Sequence, residues 1–254
     1  MPANSILSIL QNARRQGEKL LAVLIDPDKT DPRTAEHFAG HAAEVGVDLL
    51  MIGGSLMTSD RFQQCIHALK ASSDLPLLIF PGDSLQVHAA ADALLLLSLI
   101  SGRNPDLLIG RHVQAAPALR RSGLELIPTG YLLIDGGKPT SASYMSHTLP
   151  IPSDKPDIAS CTAMAGEMLG LQTLYLDAGS GAVSPVPAPV ISAVRRSVDI
   201  PVIVGGGLRH NNQAVIALEA GADMVVIGTA IERNPDGLKE FAGAIRSNFP
   251  TLKM

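Results

Sequence analysis

The sequence has no tryptophan, and aromatic residues fill only 3% of its 254 positions. A core with so few rings must be built from aliphatic side chains, and apolar residues supply 46% of the chain. Charge is also scarce, at 17% of residues with a net −4, and Lys and Arg form no run. Nucleic-acid recognition needs a concentrated positive face, so that class of partner is excluded. The two cysteines, Cys65 and Cys161, are far apart and lack metal-ligand spacing. They read as reduced thiols of a cytoplasmic protein. The longest apolar stretch, residues 93–100, is broken by Ser98 and is too short to span a bilayer. Residues 1–17 lack a long apolar centre and carry Arg14 and Arg15 late, so they do not read as a secretion signal.

Most familiar catalytic signatures are missing too. There is no Gly-x-Ser-x-Gly elbow, no Gly-x-x-x-x-Gly-Lys-Ser/Thr loop and no Cys-x-x-Cys pair. Gly82-Asp83-Ser84-Leu85 spells an esterase motif, but no histidine follows an Asp at the three-residue spacing those enzymes need. His37 and His41 stand four apart on an expected helix, as in zinc proteases, without the required Glu between them. Asp-Asp-x-x-Asp, the pattern of many chain-elongating prenyltransferases, is absent as well.

What the chain has is rhythm. Unbroken aliphatic runs at residues 20–25, 47–52, 75–80, 93–97, 171–176, 202–204 and 224–227 read as strands, with another inside 125–134 interrupted by Pro128. Between them lie helix-like segments at 32–45, 60–71, 105–121, 157–170, 189–198 and 211–220. A first helix capped by Asn4 or Ser5 ends at Gly17, and 236–247 closes the chain. Residues 84–91 read as a short helix or a loop, and 135–155 as a long irregular excursion expected to order over a bound substrate. Strands that do not alternate in polarity are buried on both faces, which means a parallel sheet covered by helices. Eight such units in a chain of this length favour closure into a single (β/α)8 barrel domain, residues 1–254, over an open sheet.

In such a barrel, chemistry gathers where strands end at their C-terminal edge. Three successive strand ends, roughly 25 residues apart, carry glycines: Tyr175-Leu176-Asp177-Ala178-Gly179-Ser180-Gly181, Val204-Gly205-Gly206-Gly207 and Ile227-Gly228-Thr229. Glycines let backbone N–H groups close on a phosphate. One loop of this kind reads as a tight turn, but three in sequence favour a phosphate grip. A period of two puts Thr173, Tyr175 and Asp177 on the inward face, with Leu174 and Leu176 outward. Asp26, ending the first strand, can be a turn residue or a hard-oxygen ligand for Mg²⁺. Ser55 ends the second strand and reads on spacing alone as a helix cap. Lys29, Arg103, Lys138 and Arg209 lie in loops within reach of a diphosphate, and for each a solvated surface charge is the better single reading.

Taken in order, Leu24-Ile25-Asp26-Pro27-Asp28-Lys29, Ile52-Gly53-Gly54-Ser55, the Tyr175 to Ala182 stretch, Val204 to Gly207 and Ile227-Gly228-Thr229 resemble the geranylgeranylglyceryl phosphate synthase family, bacterial homologues with other prenyl lengths included. The resemblance runs from about Leu20 to Pro235. It implies Mg²⁺-dependent transfer of a prenyl group from its diphosphate to sn-glycerol 1-phosphate, with geranylgeranyl as the group, forming an ether and releasing pyrophosphate. Asp26 and Ser55 match the metal-binding positions. Tyr175, Leu176, Asp177, Ala178, Gly179, Ser180, Gly181, Gly206, Gly207, Gly228 and Thr229 match the glycerol-phosphate site. Asp177, as catalytic carboxylate, is one methylene shorter than the Glu of many relatives. The resemblance also implies a homo-oligomer, and product release implies peripheral contact with a membrane surface. Two other readings use the same loops: an isomerase or aldolase acting on a phosphorylated sugar, and a non-catalytic phosphate-binding barrel. The absence of Lys from every expected strand weighs against the aldolase.

Overall fold

A computed structural model describes residues 5–234 and 236–250. The first half of the chain runs α1 (Ile6–Gln16), β1 (Leu20–Ile25), α2 (Pro32–Val45), β2 (Leu49–Ile52), α3 (Phe62–Ser72), β3 (Leu77–Ile79), β4 (Ala93–Leu99) and α4 (Arg111–Ser122). The second half runs β5 (Glu125–Leu133), α5 (Ser141–Ser146), α6 (Pro156–Met168), β6 (Thr173–Asp177), α7 (Ala188–Ser197), β7 (Val202–Gly205), α8 (Asn211–Glu219), β8 (Met224–Ile227), α9 (Thr229–Arg233) and α10 (Gly237–Asn248). All strands pair in parallel in chain order, and β8 closes on β1 with Leu20 beside Met224. The expected barrel is therefore the observed one.

Strand periodicity divides the core into two layers. Outward residues such as Val23, Leu50, Leu174, Leu176 and Val204 pack under helices whose inner faces carry Ala, as at Ala35, Ala39 and Ala42 of α2. Small residues there let helices approach the sheet closely. Inward residues such as Ala22, Met51, Leu95, Ile127 and Ile203 fill the barrel. Helix α1 stops the N-terminal end: Ile6, Leu7 and Leu10 join the inner layer. Ser5 caps α1 by accepting from Ser8 N, and Asn4 lies outside the described residues. The Glu125 carboxylate accepts from the Ile6 and Leu7 N–H groups at 2.7 and 3.0 Å, tying that helix end to the start of β5.

Three features differ from the sequence reading. Strand β5 is not interrupted at Pro128 but runs through it, and the Pro128 carbonyl still accepts from Gln172 N at 2.8 Å. Residues 135–155 contain α5, started by a reciprocal capping box between Thr140 and Ser143. A five-residue π-helical turn, Asp106–Gly110, precedes α4. Residues 84–91, open between helix and loop, form turns, so no helix separates β3 from β4. Among the described residues, no helix is long and apolar enough to cross a membrane.

Candidate active site

The C-terminal ends of the strands surround a cavity of about 630 Å³ with a mixed polar and apolar lining. Asp177 stands in its wall at the end of β6, 6% exposed. One carboxylate oxygen accepts from the Tyr131 hydroxyl at 2.5 Å and the other from Gly179 N at 2.7 Å. Burial pushes this carboxyl above its ordinary range, against the two hydrogen bonds, which pull it down. Burial and the Asp177 charge hold both the Tyr131 and Tyr175 phenols well above their usual values, so both keep their protons. Tyr175 lies beneath Asp177, as the period of two requires, and stacks on Phe80 with ring centroids 4.7 Å apart. Tyr131 meets both rings edge-on at 5.8 Å. The three rings, most of the aromatic content of the barrel interior, form one wall of the mouth.

The three glycine-bearing strand ends do meet. Gly206 has φ +78°, and a Cβ there would come within 2.3 Å of an Asp177 oxygen and 2.5 Å of Gly179 N. Only glycine fits between the β6 and β7 loops. Ser180 and Thr229 bring their hydroxyl oxygens to 3.3 Å, linking the β6 and β8 loops. Tyr175, Asp177, Ser180, Gly181, Gly206, Gly207, Gly228 and Thr229 all line the cavity. Leu176, Ala178 and Gly179 do not: Leu176 and Ala178 belong to the outer layer, and Gly179 serves Asp177 through its N–H.

Asp26 and Ser55 line the opposite side. One Asp26 oxygen accepts from Asp28 N at 3.0 Å, and the other lies 2.7 Å from Lys29 Nζ. Lys29 also reaches Glu232 at 3.5 Å. Burial opposes the Lys29 charge, but the two carboxylates outweigh it and hold its pKa above the usual value. Among the described residues, no three His, Cys, Asp or Glu side chains gather to hold a metal alone. Asp26 and Ser55 put one carboxylate and one hydroxyl on the cavity wall, hard-oxygen groups of the kind magnesium takes, and an ion there would compete with Lys29 for the Asp26 carboxylate. Asp28 is not part of that set. Its two oxygens accept four bonds from the N–H and hydroxyl groups of Thr58 and Ser59, which overcome the burial cost and bring its pKa to about 2. Of the four loop cations, Lys29, Lys138 and Arg209 line the cavity, whereas Arg103 donates to the carbonyls of Ile100 and Gly102.

A second cavity of about 500 Å³ adjoins the first and is mostly apolar. It lies where the β3–β4 helix is absent, lined by Leu94 to Leu97 of β4, Ala115 and Leu119 of α4, and Met145 of α5. Gly54, Ser55, Leu56 and Phe80 line both cavities. A prenyl tail calls for an apolar groove near the barrel rim, but its lining could not be named from sequence, because its walls come from elements that read simply as core. Tyr131 was also missed: with β5 treated as broken at Pro128, its inward phase could not be counted.

Fold and site together define a (β/α)8 barrel whose mouth joins a glycine-lined pocket to an apolar groove. The PcrB family model matches residues 14–245, and the chain belongs to that family. It is 50% identical over 240 residues to a geranylgeranylglyceryl phosphate synthase of Spirosoma linguale, covering 94% of this chain and 96% of the other. A synthase of the same name from Chitinophaga pinensis is 50% identical over 250 residues, covering 98% and 99%. Among solved structures, the Thermoplasma acidophilum (S)-3-O-geranylgeranylglyceryl phosphate synthase in complex with sn-glycerol-1-phosphate superposes with TM-score 0.90 at 34% identity, covering 96% of this chain and 98% of that one.

Proposed function

We propose that this protein is a prenyltransferase that joins sn-glycerol 1-phosphate to a prenyl diphosphate, geranylgeranyl by preference, through an ether and releases pyrophosphate. The observation that carries this reading is the shared border of the two cavities: a glycine-lined cavity and a mostly apolar groove meet at Gly54, Ser55, Leu56 and Phe80. An allylic diphosphate needs that junction, with its phosphates on one side and its tail on the other. A phosphosugar isomerase or aldolase has no use for the groove.

The glycerol phosphate dianion suits the backbone of the β6, β7 and β8 loops. The hydroxyl that becomes the ether oxygen then lies toward Asp177. As the hydroxyl oxygen bonds to the first prenyl carbon, the carbon–oxygen bond to the diphosphate breaks, and the hydroxyl proton passes to the Asp177 carboxylate. A carboxylate whose pKa is raised by burial is a stronger base than a solvated one. Lys29, Lys138 and Arg209 offer positive charge to the departing pyrophosphate. Magnesium held by Asp26 and Ser55 would add Lewis-acid neutralisation of the same charge. The packed rings of Phe80, Tyr131 and Tyr175 give this part of the mouth an apolar lining, which favours keeping water from the allylic carbon as positive charge develops.

The groove lies within the size range of small-molecule sites. Ile109 and Val113, four residues apart across the start of α4, are 61% and 66% exposed and support self-association. The reading is tested by Asp177→Asn and Asp26→Ala, each checked for folding by circular dichroism. Both abolish or severely reduce prenyl transfer, while Asp26→Ala still binds glycerol phosphate. Full activity in Asp177→Asn would overturn the assigned base.

A further inference from the structure

Gln86 lies in the turns that replace the β3–β4 helix, and its side chain is 2% exposed. Its Nε2 donates to the Gly54 carbonyl at 3.2 Å, and its Oε1 accepts from Gly82 N at 3.1 Å. One buried carboxamide thus bridges the loop ending β2 to the loop ending β3. Those loops are as close as backbone allows: a Cβ on Gly82 would lie 2.1 Å from the Gly54 oxygen, and one on Gly53 1.9 Å from the Phe80 oxygen. The bridged segment is the border of the two cavities, where Gly54, Ser55 and Phe80 face both. The turn is anchored beside Gly82 as well, since Asp83 pairs with Arg111 of α4 at 2.8 Å.

We propose that Gln86 is a positioning residue for prenyl transfer, and the proposal rests on the prenyltransferase reading. By fixing the spacing of the β2 and β3 loops, it aligns the diphosphate beside Ser55 with the first carbons of the tail beside Phe80. The position needs a donor at one end and an acceptor at the other, both desolvated. Methionine matches the shape and supplies neither. An ionised glutamate accepts from Gly82 but cannot donate to Gly54, whereas a protonated glutamate does both. The charged groups around the site are Asp26 with Lys29 at the end of β1, Asp83 with Arg111, and His88 against His67 of α3.

The test is steady-state kinetics of the full chain with both substrates varied. In Gln86→Met, KM for the prenyl diphosphate rises about tenfold and kcat falls, while KM for glycerol phosphate stays within about twofold. In Gln86→Glu, the ratio of its activity to wild type climbs as pH is lowered and the carboxyl takes up its proton. Equal kinetics in Gln86→Met, or KM values for both substrates rising together, would overturn the proposal. So would a Gln86→Glu ratio that stays low at every pH, including where the carboxyl is protonated, and that series decides alone if Gln86→Met fails to fold. Failure of the wild-type protein to transfer any prenyl group is a separate result and removes the prenyltransferase reading itself.

Discussion

Replacing Tyr131 with Phe removes one hydroxyl, and the consequence can be worked out from Asp177. That carboxylate is buried, so it depends on two donors, the Tyr131 hydroxyl at 2.5 Å and Gly179 N at 2.7 Å. Tyr131 keeps its proton across the working range, because burial holds its phenol well above the ordinary value. A hydrogen bond to an ionised acceptor contributes about 1.5–3 kcal/mol. It stabilises the charged form only, so losing it raises the Asp177 pKa by about 1–2 units at 1.36 kcal/mol per unit. Burial already holds that pKa above the usual carboxylate range, and the change goes in the same direction. The general base must be ionised to act. The acid limb of kcat/KM therefore moves to higher pH by about 1–2 units in Tyr131→Phe, with much smaller losses on the alkaline side. The assay is prenyl transfer followed across pH for both proteins at matched Mg²⁺. Coincident acid limbs, or a shift to lower pH, would refute the reasoning that Asp177 is the titrating base.

Gly206→Ala should raise the Kd for glycerol phosphate at least about tenfold, since the added carbon meets Asp177 at 2.3 Å in a φ +78° backbone; calorimetric titration with sn-glycerol 1-phosphate checks this. The Asp28 carboxyl is lowered to about 2 in the folded protein, so its contribution is present above the ordinary carboxylate range and lost as pH falls toward 2. Asp28→Asn should therefore lower the melting temperature at neutral pH and narrow the gap from wild type near pH 2. Ala115→Phe, in the wall of the apolar groove, should shift preference toward shorter prenyl diphosphates while leaving glycerol phosphate affinity unchanged, as product chromatography would show. Removing divalent cations with a chelator should abolish transfer, and added Mg²⁺ should restore it, if Asp26 and Ser55 hold that ion.

The barrel was legible because its signal is repeated: eight aliphatic runs of strand length between helix-length segments leave few alternatives. The β6 side of the site was legible for the same reason. A period of two fixes which way Asp177 points, and Gly206 marks a place where no side chain fits. The role of Asp28 was not legible, because it lies in bonds from Thr58 and Ser59, some 30 residues away in sequence. Surface charge was the better reading for Lys29, Lys138 and Arg209, yet loop geometry turns all three into the cavity. Leu176 joined the matched stretch through its neighbours, although its own alternation already pointed it outward. The place and lining of the apolar groove were not legible, since a missing helix leaves no pattern and the leucines of β4 look the same whether they face a helix or a ligand.

The most direct measurement incubates the protein with radiolabelled sn-glycerol 1-phosphate, Mg²⁺ and prenyl diphosphates of several lengths, and then counts label extracted into organic solvent. Transfer predicts label in the organic phase with at least one length, greatest with geranylgeranyl diphosphate, and none with Asp177→Asn. Label confined to the aqueous phase for every length would contradict the account.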